Sequence, residues 1–214
     1  MNGMRSGDKI PTGSDILDEL IGGYEIGSIT TLFGAAGTGK TNLCLLALIR
    51  AVGRGKKIVY VDTEARFSVE RLQQITKYAN KVLPHVILFT PKSFDEQAEV
   101  IARMPLIKNV GLMIVDSISG LYRLQHTKEA TMMFKRQIAQ LAACARAQQL
   151  PVILTAQVYA DIETGTIKMV GEKILRNASV QLIELQSINE KKRAIVGEKY
   201  VDFTITEKGL LTCP

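Results

Sequence analysis

The eight residues GAAGTGKT, from Gly34 to Thr41, have the types and spacing of a phosphate-binding loop. Glycines let backbone N–H groups converge on phosphate oxygens, and the start of the following helix adds a favourable dipole. In this pattern Lys40 reaches the β- and γ-phosphates and Thr41 offers its hydroxyl to Mg²⁺. The loop therefore predicts a site for ATP and Mg²⁺. The cofactor-binding residues that it predicts are Gly34, Ala35, Ala36, Gly37, Thr38, Gly39, Lys40 and Thr41.

The segments on either side of the loop favour this interpretation over an ordinary glycine-rich turn. The β-branched run GSITTLF precedes it as a predicted strand, and the apolar run from Thr41 to Val52 follows as a predicted helix. Further along, Asp116 closes the apolar strand GLMIVD. Ligands bind at the carboxyl ends of strands in open α/β sheets, so Asp116 is predicted to hold Mg²⁺ together with Thr41.

Two further side chains at strand ends are candidates for hydrolysis. Glu64 lies at the end of the strand KKIVYV and can orient or deprotonate an attacking water, and Gln157 ends the strand PVILTAQ and can contact the γ-phosphate. Acids and amides after strands also cap turns and helices, and the spacing alone leaves both interpretations open.

Strands and helices alternate along most of the chain. Helices are predicted over Ser68 to Tyr78, from the Ser93–Glu96 capping box to Arg103, and over Glu129 to Gln149. After Gly171 the runs SVQLIELQ, KRAIVGE and YVDFTITEK read as strands joined by short turns. The pattern predicts an α/β fold with a mostly parallel central sheet and an antiparallel C-terminal edge, in a single domain over residues 1–214.

Composition narrows the class of partner and the cellular compartment expected for this chain. Of 214 residues, 46% are hydrophobic and 22% charged, and the net charge of +6 weakly favours a polyanionic partner. The three scattered cysteines, Cys44, Cys144 and Cys213, argue against a disulfide framework or a zinc site. With no apolar stretch long enough for a signal peptide or a membrane span, we expect a cytoplasmic protein that does not bind membranes.

The motifs taken in order resemble the RecA/RadA recombinase family, and look most like its archaeal RadB branch. The resemblance runs from about Ile10 to about Leu210 and rests on the segments PTGSDILDELIGGYEIGSIT, GAAGTGKT, YVDTEARFSVERL, LMIVDS, TAQV and FTITEKG. It implies a RecA-like P-loop NTPase core. By matching positions it implies Glu64 as the catalytic glutamate, Arg71 as an arginine over adenine, Asp116 as the Walker B acid and Gln157 as the sensor glutamine, with Lys40 assisting catalysis.

Departures from the family pattern shape the expected activity. Ala65 stands where the family has glycine, and Ala156 where it has asparagine. The helical N-terminal domain and the polymerisation linker of RadA proteins are expected to be missing, and the C-terminal edge is short. The resemblance therefore implies weak ATP hydrolysis, no efficient strand exchange, at most weak homo-oligomerisation, and an accessory role beside a full-length RadA-type recombinase.

DNA is the macromolecular partner that the resemblance implies, bound without sequence preference. The family's two DNA-facing loops correspond to about Ser117 to Lys128, which also carries His126, and to about Tyr159 to Lys173. In the second loop Asp161, Glu163 and Glu172 nearly cancel its lysines. A basic cluster between two predicted edge strands is another candidate, although it can equally serve to keep the edge soluble. The candidate DNA contacts are Tyr122, Arg123, Lys128, Lys168, Lys191, Lys192 and Arg193.

Two other functions remain open at this level. A KaiC-like signalling ATPase shares the opening TG-x-x-x-LD-x-LIGG, and the run DTE-x-x-F-x-x-ER argues against it. The other alternative is an interaction module that uses nucleotide as a switch with negligible turnover.

Overall fold

The structure, a computed structural model, describes residues 8–53, 55–160, 166–207 and 209–212. The strands are β1 Lys9–Ile10, β2 Tyr24–Glu25, β3 Ile29–Gly34, β4 Lys57–Asp62, β5 Val86–Phe89, β6 Val110–Asp116, β7 Val152–Ala156, β8 Val158–Ala160, β9 Ile167–Met169, β10 Ser179–Ile188, β11 Lys191–Val196, β12 Lys199–Thr206 and β13 Gly209–Thr212. The helices are α1 Asp15–Ile21, α2 Lys40–Val52, α3 Val69–Ile75, α4 Ala79–Val82, α5 Phe94–Arg103, α6 Lys128–Gln148 and α7 Glu172–Ala178.

The central sheet confirms the predicted fold class. Its nine strands in the described part of the chain run in the order β13-β12-β11-β10-β3-β7-β6-β4-β5. Pairs from β10 through β5 are parallel, and β10 to β13 pair antiparallel at the C-terminal edge. Two small antiparallel pairs, β1 with β2 and β8 with β9, lie outside this sheet. This is the mostly parallel sheet with an antiparallel C-terminal edge that the sequence predicts.

Helices cover both faces of the sheet, and the inner strands alternate between two cores. In β4, Ile58 and Tyr60 join the core shared with α1 to α4, while Val59 and Val61 join the core shared with α5 to α7. A strand buried on both faces is apolar almost throughout, as KKIVYV and GLMIVD are. This packing fixes the carboxyl ends of β3, β4, β6 and β7 along one edge, where the site lies.

Local signals place most helix ends, and the structure corrects some of them. Ser93 caps α5 by accepting from the Glu96 N–H, whereas the Glu96 carboxylate accepts from Lys92 N at 2.7 Å instead of from the Ser93 N–H of a full capping box. The helix predicted over Ser68 to Tyr78 ends at Ile75, and a separate short helix follows. The sequence patterns did not predict α1, α7 or the edge strand β13.

Phe134 on α6 lies in the core that the sheet shares with α5 to α7. Its side chain is fully buried and stacks on the Tyr122 ring, with 4.1 Å between centroids and 3° between planes. Gly171 lies against it with a φ of +75°, and a Cβ there would come within 2.6 Å of the phenyl ring. The start of α7 therefore approaches α6 closely because the residue in contact has no side chain.

No helix in the described ranges is long and apolar enough to cross a membrane.

Phe134→Ala is expected to lower the free energy of unfolding by about 3–5 kcal/mol, because it removes a buried ring and leaves a cavity. Chemical denaturation followed by circular dichroism measures the change. Met132→Ala, at a position that is 69% exposed on the same helix, is the control and should change it by less than about 0.5 kcal/mol. Equal effects of the two variants would contradict the assignment of Phe134 to the core.

Candidate active site

The phosphate loop connects β3 to α2 at the centre of the sheet. Gly34 ends β3 with a φ of +152°, and a Cβ there would lie 2.1 Å from the Leu185 carbonyl oxygen on β10. Thr38 closes the loop internally by donating its hydroxyl to the Ala35 carbonyl at 2.9 Å. Helix α2 then begins at Lys40, so its unpaired N-terminal N–H groups face the loop, as phosphate binding requires.

Lys40 lies over the concave side of this loop. Its Nζ donates to the carbonyl oxygens of Gly34 at 2.6 Å and Ala35 at 2.8 Å. Burial lowers the pKa of Lys40, and the nearby carboxylates of Asp116 and Glu64 oppose that change. A phosphate in contact with this ammonium would favour its charged form.

Asp116 joins four elements at the end of β6. Its Oδ2 accepts from the Thr41 hydroxyl at 2.7 Å and from the Tyr60 hydroxyl at 2.9 Å, and its Oδ1 accepts from the Thr155 hydroxyl at 2.5 Å. Burial, and then the charge of Asp116, raise the pKa of Tyr60, which keeps that phenol a donor. The structure thus brings together Thr41 and Asp116, the two residues predicted to hold Mg²⁺. A hydroxyl and a carboxylate are hard oxygen ligands of the kind this ion takes, so the residues fit the ion.

A buried carboxylate shapes the turn that carries Glu64. Asp62, 3% exposed at the end of β4, accepts from the backbone N–H groups of Glu64 at 3.1 Å, Arg66 at 3.1 Å and Phe67 at 2.8 Å. Within this turn Ala65 has a φ of +54°, in the left-handed region that glycine tolerates and alanine does not favour. Glycine, the residue of the family pattern at this position, adopts this left-handed conformation without strain, whereas Ala65 adopts it with strain.

Glu64 and Gln157, the two candidates for hydrolysis, lie in contact across the site. The Gln157 amide donates to Glu64 Oε1 at 2.5 Å, and its backbone N–H donates to Ser119 Oγ at 2.9 Å. Two arginines extend the contact. Arg66 pairs with Glu64 Oε2 at 2.9 Å, and Arg123 donates to Gln157 Oε1 at 2.5 Å. We call the resulting series Arg66–Glu64–Gln157–Arg123 the polar chain.

Arg71, predicted to lie over adenine, is anchored on the other side of the cavity. Its guanidinium donates to Asn42 Oδ1 at 2.7 Å, to Gln74 Oε1 at 3.0 Å, and to the carbonyls of Thr206 at 2.7 Å and Glu207 at 3.3 Å. These contacts tie α3 and α2 to the turn between β12 and β13. Arg71 still lines the cavity, and its contact with adenine stays a prediction.

The candidate DNA contacts do not form one surface. The Tyr122 ring stacks on Phe134, so one of its faces is used for packing. Arg123 lines the nucleotide cavity. Lys128 is exposed at the first turn of α6, and Lys168 lies in β9. Asp161 and Glu163 of the second loop, like Cys213, fall outside the described residues.

The basic cluster at the C-terminal edge requires a correction. Lys191, Lys192 and Arg193 lie inside β11 rather than between two strands. Arg193 is bound by both oxygens of Asp202 on β12, at 2.6 and 2.8 Å, and stacks on the Tyr200 ring at 4.0 Å. Its hydrogen bond to Asp202 lowers the pKa of that carboxyl. Arg193 therefore links β11 to β12 through Asp202. Lys191 and Lys192 stay candidates for phosphate contacts.

The cavity above these strand ends has a volume of about 590 Å³, within the range of small-molecule sites. Its lining includes every residue predicted to bind nucleotide or metal except Thr38, which lies buried beneath the loop. It also includes two arginines that the nucleotide prediction did not contain. The charged and amide side chains that line it are Lys40, Asn42, Glu64, Arg66, Arg71, Asp116, Arg123 and Gln157.

Comparison with known proteins identifies the family of the chain. A family model described as Rad51 matches residues 7–210. The chain belongs to the Rad51 family. Proteins named DNA repair and recombination protein RadB are similar to it: that of Methanococcoides burtonii is 36% identical, over 91% of this chain and 93% of the relative, and that of Methanoculleus marisnigri is 35% identical, over 96% and 98%.

A solved structure shows the same fold. The crystal structure of the RadB recombinase superposes with a TM-score of 0.83 and 32% identity, covering 96% of this chain and all of that one. The resemblance to the RecA/RadA family and its RadB branch is confirmed, and family membership favours the recombinase interpretation over the KaiC-like alternative.

Several residues that build the site were missed from sequence. Tyr60 and Thr155 hold Asp116, Asp62 forms the Glu64 turn, and Arg66 pairs with Glu64. A signal existed for Tyr60, Asp62 and Thr155, since they are polar groups near the carboxyl ends of otherwise apolar strands. For Arg66 the only signal was its position two residues after Glu64.

Ala65→Gly is expected to raise the free energy of unfolding by about 0.5–1 kcal/mol, because relief of the left-handed backbone outweighs the added freedom of the unfolded chain. Denaturant titration measures it. The matched control is Ala139→Gly in the exposed middle of α6, where the same change should lower it by about 1 kcal/mol. Destabilisation by both changes would contradict strain at Ala65.

Proposed function

We propose that this protein is an ATP- and DNA-binding recombinase paralogue that acts in homologous recombination and DNA repair, with weak ATP hydrolysis and no efficient strand exchange of its own. The observation that carries this proposal is the convergence of Lys40, the Thr41–Asp116 pair and the Glu64–Gln157 pair on one cavity.

Nucleotide binding follows from the geometry of that cavity. The triphosphate would lie along the loop with Lys40 at the β- and γ-phosphates, and Thr41 and Asp116 would hold Mg²⁺. Arg71 stands at the far side of the cavity, where its planar guanidinium suits contact with the adenine ring. The chemistry that Mg²⁺ would supply at this site is neutralisation of phosphate charge.

Glu64 is the general base for ATP hydrolysis in this proposal. The oxygen of an attacking water bonds to the γ-phosphorus while the bond to the β–γ bridging oxygen breaks, ADP leaves, and the proton of the water passes to Glu64. Gln157 contacts Glu64 and orients it. The strained alanine beside Glu64 supports slow turnover.

DNA binding is the second part of the proposal. The net charge of +6 supports a polyanionic partner, with Lys128, Lys168, Lys191 and Lys192 as the phosphate contacts. Arg123, in the loop after β6, hydrogen-bonds Gln157. That contact gives a physical connection between the γ-phosphate region and a loop that faces DNA in the family.

The biological partner that we propose is a full-length RadA-type recombinase, which this protein assists or regulates in the cytoplasm, itself at most weakly oligomeric. The similarity to proteins named RadB over almost their whole length supports this role. The unpaired buried thiols of Cys44 and Cys144 agree with a reducing compartment.

Substitutions at the phosphate loop and at the catalytic acid should separate binding from chemistry. Lys40→Ala is expected to weaken ATP binding at least about tenfold, since it removes a phosphate contact. Glu64→Gln should retain binding and lower turnover by about 100-fold or more. Isothermal titration calorimetry and phosphate release measure the two effects. Lys108→Ala and Glu99→Gln, both exposed and away from the cavity, are the controls. Unchanged turnover in both site variants would contradict the assignment.

DNA binding and the accessory role are tested together. Affinity for single-stranded DNA is expected to fall as salt rises, since binding releases counterions. Strand exchange should be negligible with this protein alone and should change when it is added to a RadA-type recombinase. Fluorescence anisotropy across a salt series and a joint-molecule assay measure these effects. Absence of DNA binding at low salt, or efficient exchange by this protein alone, would overturn the proposal, whereas tight ATP binding with no turnover would identify a nucleotide switch.

A further inference from the structure

We propose that Arg66 and Arg123 are the γ-phosphate arginines of this site, supplied by the same chain that supplies the phosphate loop. The inference rests on the proposed function and deepens it: it names the groups that distinguish ATP from ADP. It also predicts that one protomer holds a complete set of cations for the triphosphate.

Arg66 is placed at the γ-phosphate end by the turn after β4. The Asp62 carboxylate accepts from the Arg66 backbone N–H at 3.1 Å, which fixes the residue at the mouth of the cavity. Its side chain, half-exposed, pairs with the catalytic carboxylate of Glu64 through Oε2 at 2.9 Å. Because Glu64 is the residue proposed to activate water, its contact with Arg66 places the guanidinium next to the position of the attacking water. Its partial exposure leaves it room to move onto a phosphate oxygen.

Arg123 reaches the same point from the opposite side of the cavity. It comes from the loop after β6, and its Nη1 donates to Gln157 Oε1 at 2.5 Å, while the amide of that glutamine donates to Glu64 Oε1. The two arginines therefore flank Glu64 at the two ends of the polar chain. Both line the cavity that also contains the phosphate loop.

Arg66 lines the same cavity as Lys40 of the phosphate loop. Arg71 is not directed to the γ-phosphate end, because four hydrogen bonds direct its guanidinium toward Asn42, Gln74 and the β12–β13 turn.

Two guanidinium groups at the γ-phosphate end of the cavity would stabilise the negative charge there. Charge collects on the γ-phosphate oxygens and increases on the bridging oxygen as hydrolysis proceeds, and arginine remains charged at every working pH. Groups that contact only the terminal phosphate favour ATP over ADP. When ATP draws the guanidiniums to the γ-phosphate, Glu64 and Gln157 lose these partners and become available to the attacking water.

The test compares the binding of AMP-PNP and ADP, each with Mg²⁺, by isothermal titration calorimetry. Arg66→Ala and Arg123→Ala are each expected to weaken AMP-PNP binding about tenfold, equivalent to about 1.4 kcal/mol, and to change ADP binding less than twofold. Arg66→Lys should recover part of the loss. Arg103→Ala, at a well-exposed arginine on α5, is the control and should change neither.

Specific ATPase activity over a hundredfold range of protein concentration tests whether the cations come from one chain. A constant value is expected, because no neighbouring protomer is needed. Specific activity that rises with protein concentration would overturn the inference. Arginine variants that keep the wild-type ratio of AMP-PNP to ADP affinity would overturn it as well. An Arg123→Ala variant that loses only DNA binding is one such result. If the wild-type protein binds neither nucleotide, the proposed function fails first. Circular dichroism confirms that each variant is folded.

Discussion

The buried carboxylate of Asp116 is the constraint around which the site is built. A charge that is only 3% exposed is costly unless hydrogen bonds satisfy it, and here three hydroxyl groups from α2, β4 and β7 donate to it. Those bonds fix the phosphate-loop helix against the central strands of the sheet. They also leave a hydroxyl and a carboxylate side by side at the position where Mg²⁺ is bound in this kind of site.

A second buried carboxylate, that of Asp62, holds the turn that carries Glu64. By accepting three backbone N–H groups it bends the chain after β4, so that Glu64 faces the cavity. The two strand ends are also joined directly, since the Thr63 hydroxyl donates to the Ser117 carbonyl at 2.8 Å and accepts from the Ser117 N–H at 3.0 Å. The residues proposed to contact phosphate, metal and water are therefore held at one edge of the sheet.

Around this rigid edge, more exposed groups connect the cavity to the rest of the molecule. The polar chain runs from the turn after β4 to the loop after β6, and Arg71 joins the opposite side of the cavity to the turn between β12 and β13. Exposed ion pairs hold weakly and rearrange readily, whereas the buried carboxylates do not. The strand-end carboxylates are thus more firmly held than the groups around them.

The sequence by itself determined the nucleotide loop, the alternation of strands and helices, and the α/β class. Each of these depends on residues close together in the chain, where turn geometry and the two periodicities act. It also placed Glu64, Asp116 and Gln157 correctly at strand ends, because parallel strands bring their carboxyl ends to one edge.

Only the tertiary structure decided which of these residues touch. Gln157 meets Glu64 across 93 positions of sequence, and Arg71 meets Thr206 across 135, distances at which local patterns carry no information. The roles of Tyr60 and Thr155 depend on strand order, which brings β4 and β7 to either side of β6. The same reason explains the correction at Arg193: its partner Asp202 lies on a neighbouring strand, and only the antiparallel pairing of β11 with β12 brings them together.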